Sequence, residues 1–90
     1  MHETMAGMAV QCPCCRCYTL SGREIFARCP VCYWEDDGQG DADANIVRAN
    51  LVSLSEARAN FAQLGASDLL YIGEVRSPLP SELSPDYSRP

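Results

Sequence analysis

The chain has 90 residues, and twelve carboxylates outweigh seven arginines, with no lysine, for a formal net charge of −5. A chain of this length holds one domain and buries only about 60% of its unfolded surface, so its core needs a staple such as a metal, disulfides or a partner subunit. The acidic balance argues against nucleic acid or an anionic membrane as the main partner, because both require a basic face.

The charge is uneven. Residues 1–32 carry two acids against three arginines, whereas residues 33–90 carry ten acids against four arginines. No stretch approaches the roughly 20 apolar residues of a membrane span, and Met1 to Val10 lacks the apolar run of a secretion signal. The chain therefore reads as cytoplasmic, a compartment where thiols stay reduced and dense cysteines point to metal rather than disulfides.

In chain order, residues 1–11 read as a flexible lead, 12–76 as a metal-stapled domain and 77–90 as an extended tail. The domain opens with Cys12-Pro13-Cys14-Cys15 and repeats the pattern at Cys29-Pro30-Val31-Cys32, with thirteen residues between the two. Two thiolates three residues apart on a tight turn can bind one metal, and the proline fixes that turn. Two such knuckles facing each other make the closed, tetrahedral site of structural zinc, with Cys12, Cys15, Cys29 and Cys32 as ligands. Cys14 and Cys17 also form a C-x-x-C pair, but the repeated proline favours Cys12 and Cys15. The remaining two thiols read as small buried apolar residues, with a redox pair or a second metal as the sharper alternative. Four thiolates also suit an iron–sulfur cluster.

Between the knuckles, Tyr18-Thr19-Leu20 and Ile25-Phe26-Ala27 flank Ser21-Gly22, which predicts a short β-hairpin. Arg16, Arg23 and Arg28 are placed to offset thiolate charge. Tyr33-Trp34 is expected to cover the metal and begin the core. Glu35-Asp36-Asp37 is expected to form a solvated face. Asp41, Asp43 and Asn45 mimic the start of a calcium loop, but the sixth position is Ile46 and the twelfth Val52, which rejects an EF-hand.

A helix is expected over about 54–64. Ser53 and Glu56 match the capping box, Leu54, Ala57, Phe61 and Leu64 recur on one face, and Gly65 sits where a left-handed cap belongs. Leu69 to Ile72 reads as a short buried strand. Pro78, Pro80, Pro85 and Pro90 exclude helix from the tail, which lies across the surface or is disordered. His2, the only histidine, stands in the lead. No Ser-His-Asp or Cys-His set and no glycine-rich phosphate loop can be assembled, and a closed four-cysteine site leaves no position for a reacting water, so no enzyme is expected.

These residues carry a resemblance. Cys12-Pro13-Cys14-Cys15, Cys29 to Gly38, Ala49-Asn50, Val52 to Arg58 and Asn60-Phe61 occur in the order typical of the bacterial cysteine-rich CPCC family, which the segment from about Cys12 to Pro80 resembles. The family usually places glycine after the first knuckle and before the Val-Ser-Leu block, where this chain has Arg16 and Leu51, and Cys17 is an addition to its pattern. The resemblance implies a small zinc-ribbon-like protein with an accessory or inhibitory role.

The expected fold is small α+β: a zinc-ribbon-like knuckle hairpin packed on the 54–64 helix, with Trp34, Phe26, Leu54, Phe61 and Tyr71 in a shared core. The expected function is a small acidic module with one structural Zn2+ that binds a protein partner with a basic surface, as an adaptor or immunity-type inhibitor. A thiol-based redox or metal sensor using Cys14 and Cys17, and a nucleic-acid-binding zinc ribbon using the three N-terminal arginines, are the alternatives.

Overall fold

Strand β1 (Val10–Gln11) runs antiparallel to β2 (Tyr18–Leu20), with Val10 opposite Leu20, Gln11 opposite Tyr18 and a register irregularity between the two pairs. The structure is a computed structural model that describes residues 9–23 and 25–87. Val10 and Gln11, read above as the end of the lead, thus belong to the sheet, while the start of the lead and the last three residues of the tail lie outside the described residues.

The hairpin expected between 18–20 and 25–27 is not formed. Tyr18–Leu20 pairs back onto β1, and the second segment pairs forward instead. Phe26 N–H donates to the Asp36 carbonyl at 3.0 Å, Asp36 N–H to the Ala27 carbonyl at 2.9 Å, and Arg28 bridges to Glu35. Each ribbon therefore closes around its own C-P-x-C turn, and Ser21-Gly22 is only a bend between ribbons. Phe26 takes a left-handed φ of 58° and is 59% exposed, so it leaves the core it was assigned to.

Helix α1 (Leu54–Leu64) follows its local signals. Ser53 Oγ accepts the Glu56 N–H at 3.2 Å, and Gly65, at φ 78°, donates its N–H to the Phe61 carbonyl at 2.9 Å. Leu54, Ala57 and Phe61 are buried, but Leu64 is 40% exposed because the last turn passes the edge of the core. The helix holds both knuckles from one side. Arg58 Nε donates to the Pro13 carbonyl at 2.9 Å, and Ser67 N–H beyond the helix donates to the Cys32 carbonyl at 2.8 Å.

The core gathers the cysteines with Leu20, Val31, Trp34, Leu54, Ala57 and Phe61. Leu69–Glu74 is a 3-10 turn rather than a buried strand, because the Asp68 carboxylate caps it by accepting the Leu70 N–H at 2.9 Å. Tyr71 is half-buried at the rim, its ring 4.8 Å from that of Tyr33, with the Arg28 guanidinium 4.5 Å above the Tyr33 ring.

Residues 76–87 lie across the surface, and Pro80–Glu82 forms a 3-10 turn with proline at its first position. Arg76 N–H donates to the Pro30 carbonyl at 3.2 Å, Ser84 Oγ to the Arg16 carbonyl at 2.6 Å, and the Tyr87 ring lies 6.0 Å from that of Phe61. The segment 76–87 thus forms a strap over both knuckles. Within it the Arg76 guanidinium grips both oxygens of Glu82 at 2.9 Å. Among the described residues, no helix is long and apolar enough to cross a membrane.

Two outcomes follow from this packing. Leu54→Ala should cost about 2–5 kcal/mol in denaturant unfolding, whereas Leu64→Ala should cost roughly 1 kcal/mol or less. The hydrogen bonds from Arg76 hold the Glu82 carboxyl below its ordinary value of 4.5. A depressed carboxyl pKa gives stabilisation that is present at neutral pH and lost as pH falls through the folded-state value. Carboxyl-resolved NMR should therefore find a Glu82 midpoint below 4.5, moving up toward it in Arg76→Ala.

Candidate metal centre

The two C-P-x-C turns share one backbone design. In the first, Arg16 N–H donates to the Cys12 carbonyl at 2.8 Å and Cys12 N–H to the Cys17 carbonyl at 2.8 Å. In the second, Tyr33 N–H donates to the Cys29 carbonyl at 2.7 Å and Cys29 N–H to the Trp34 carbonyl at 2.9 Å. The residue after each second cysteine is left-handed, with φ 71° at Arg16 and 73° at Tyr33. Each turn thereby folds its two cysteine side chains to the same side.

Cys12, Cys15, Cys29 and Cys32 consequently converge. Their sulfur atoms all lie within 4.8 Å of one another, with 3.5 Å between Cys12 and Cys32 and 3.7 Å between Cys15 and Cys29. A tetrahedral ion with metal–sulfur bonds of about 2.3 Å sets its sulfurs roughly 3.8 Å apart, whereas a disulfide requires about 2.05 Å. All six cysteines are free thiols, and the four are at most 1% exposed. The donor set and spacing fit a metal ion.

Hydrogen bonds among the four thiols favour ionisation at Cys29 over Cys15 and Cys32. Hydrogen bonds from Cys12, then Cys15 and Cys32, push the Cys29 thiol far below its ordinary value, and the Thr19 hydroxyl at 3.0 Å adds to them. Val31 N–H also points at Cys29 Sγ, at 3.4 Å. Cys15 is pushed up, first by its hydrogen bond with Cys12, and Cys32 is pushed up, first by burial. A cation held here would displace protons from thiols such as Cys15 and Cys32, and its charge would replace the hydrogen bonds they make.

Cys14 and Cys17 are both buried and stand outside the four-sulfur group. Burial raises Cys17 to about 11, so it is a neutral thiol at physiological pH. Cys14 lines an open cavity of about 440 Å³ with Arg16, Arg58 and Asp86.

The arginines and acids near the centre brace it in ways the sequence reading missed. Arg23 Nε donates to Asp36 at 2.7 Å and its Nη2 to the Gln39 carbonyl at 2.8 Å, while Arg28 binds Glu35 at 3.0 Å and the Tyr33 carbonyl at 2.8 Å. The acidic triplet is not a solvated face. Asp36 is fully buried, and its other oxygen accepts the Gly38 N–H at 3.2 Å. Asp37 accepts the N–H groups of Gln39 and Ala49, both at 3.1 Å. Gln39 and Asn50 also escaped the sequence reading. Gln39 Nε2 donates to the carbonyls of Asp43 and Ile46, and Asn50 exchanges two hydrogen bonds with the Glu35 backbone. The Asp-Asp-Gly run carries the signal of such local capping, with Gly38 at φ 92°.

The left-handed Arg16 is a test of the knuckle design, since a side chain there costs about 1–2 kcal/mol in backbone strain. Arg16→Gly should raise unfolding stability by about 1 kcal/mol after glycine's greater unfolded-state freedom is deducted, and Arg16→Val should lower it, both read by denaturant titration.

The family model described as Cysteine-rich CPCC matches residues 10–82, spanning both knuckles, α1 and the first part of the strap. No curated protein and no solved structure matches the chain. With a family model covering most of its length and both of its C-P-x-C turns meeting at one cluster, the chain belongs to the cysteine-rich CPCC family.

Proposed function

We propose that Cys12, Cys15, Cys29 and Cys32 hold one structural zinc ion in a zinc-ribbon-like site, and that the domain so stabilised is a cytoplasmic protein-binding module for a basic partner. The observation that carries the metal half is the convergence of four buried sulfurs from two matched turns. Full burial favours a structural over a catalytic ion, because a catalytic zinc keeps a coordination position open to water. Cys29 would enter as the thiolate already favoured by its neighbours, and Thr19 and the Val31 amide would support its sulfur from behind. Zinc, when bound, supplies the Lewis acid that keeps all four thiols ionised.

The protein-binding half rests on the acidic excess of residues 33–90 and on the rigidity that a metal staple gives a small domain. An adaptor or an immunity-type inhibitor that covers a basic surface fits this charge. The competing readings draw less support. A neutral Cys17 is a poor redox nucleophile. Arg23 and Arg28 are engaged by Asp36 and Glu35, which weakens the basic face a nucleic-acid ligand needs.

Native mass spectrometry in reducing buffer with elemental analysis tests the site. The expected result is one zinc per chain, lost in Cys12→Ser, Cys15→Ser, Cys29→Ser and Cys32→Ser and kept in the Cys14→Ser, Cys17→Ser double variant. Structural zinc is worth about 10–16 kcal/mol in apparent binding energy, so chelation should also abolish the folded circular dichroism signal. A metal-free protein whose mass deficits reveal disulfides would overturn the reading, and bound iron would overturn the identity of the ion.

A further inference from the structure

The 3-10 turn Leu69–Glu74 turns its large aliphatic side chains outward. Leu69 is 66% exposed, Leu70 73% and Ile72 45%. Leu69 and Ile72, three residues apart, share one side of such a turn. A domain with so small a core gains from burying every large aliphatic residue it has, so a cluster left in water marks an interaction surface.

The chain entering and leaving this turn lines an open cavity of about 280 Å³. Leu64 and Gly65 precede the turn and Val75 and Pro78 follow it, with Val31 and Phe61 supplying further wall from the second knuckle and α1. The same short segment thus offers projecting leucines and a recess beside them. Its charges are acidic. Asp68 and Glu74 bound the turn, and Arg76 in the cavity wall is neutralised by Glu82.

That charge selects the occupant. A second copy of the chain would bring another net −5 and set Asp68 and Glu74 against their own counterparts in a two-fold pairing. A segment with Lys or Arg around an apolar anchor side chain meets the recess with the anchor and the acids that bound the turn with its charges. We propose that the face formed by residues 64–79 is the docking surface for a basic protein segment that places an apolar side chain in the recess. This rests on the protein-binding half of the proposed function and is independent of the metal's identity.

The test is an NMR titration of the full zinc-loaded chain with a synthetic amphipathic helical peptide of leucine and lysine, alongside a scrambled peptide of the same composition. Shift changes centred on Leu64 and Leu69–Val75, weakened by added salt and stronger for the amphipathic peptide, are expected. The double variant Leu69→Ser, Leu70→Ser, both positions being exposed, should keep its zinc content and lose about tenfold in affinity. No binding, changes centred on another face, or equal binding of both peptides would overturn the surface. A dimer in sedimentation that disappears in the double variant would also overturn it, by making a second copy the occupant. The protein-binding reading fails separately, if the immobilised domain recovers no protein from its native lysate at low salt.

Discussion

Mutual repulsion among buried sulfur charges is the constraint around which the rest of the chain is organised. Four thiols within 4.8 Å of one another, each shielded from water, cannot all ionise without a cation, and the hydrogen bonds among them favour the charge at Cys29. The fold must therefore hold four donors in place while leaving the compensation of their charge to something between them. It does so with backbone geometry. Two turns with the same hydrogen-bonding pattern and the same left-handed residue present the sulfurs in pairs, so the site is built twice from one solution.

Everything outside the turns braces them. The Asp36–Arg23 pair and the Asn50 side chain fix the outer ribbon of the second turn, and Arg58 and Ser67 tie the helix region to the carbonyls of Pro13 and Cys32. The strap reaches Pro30 and Arg16 from another direction. The bonds from Arg58, Ser67 and the strap end on carbonyls in or beside the knuckles, groups that a turn leaves without partners of its own. Polar side chains that look solvent-bound in sequence, Asp36 and Gln39 above all, are buried because they tie the loop after the second turn to itself and to Arg23.

The parts legible in the sequence are those written in short-range chemistry. The C-P-x-C repeat announced a four-cysteine cluster, and Ser53 and Gly65 marked the ends of α1 because both caps act within one helical turn. Errors arose where partners are distant or where a local pattern had two solutions. Tyr18–Leu20 has strand character, but only the tertiary arrangement decides between Val10–Gln11 and Ile25–Ala27 as its partner. Leu69–Ile72 looks like a buried strand by composition, and the single carboxylate of Asp68 converts it to a 3-10 turn. Phe26 looks like core by type, and its left-handed backbone turns it out. Arg16, by contrast, holds a φ of 71°, a backbone conformation that glycine takes without strain and that its own side chain disfavours.

The strap has a mechanical consequence. Gln11 Nε2 and Asp86 Oδ2 are 3.5 Å apart, so the end of β1 and the end of the strap lie side by side. Tension applied at residues 10 and 87 pulls these neighbours directly apart and meets their bonds one after another, as in opening a zip, rather than loading all of them in parallel. The strap's contacts with Arg16 and Phe61 stand at the outer end of that series, whereas β1 carries tension directly into Cys12, so the two sides of the domain load the sulfur cluster unequally.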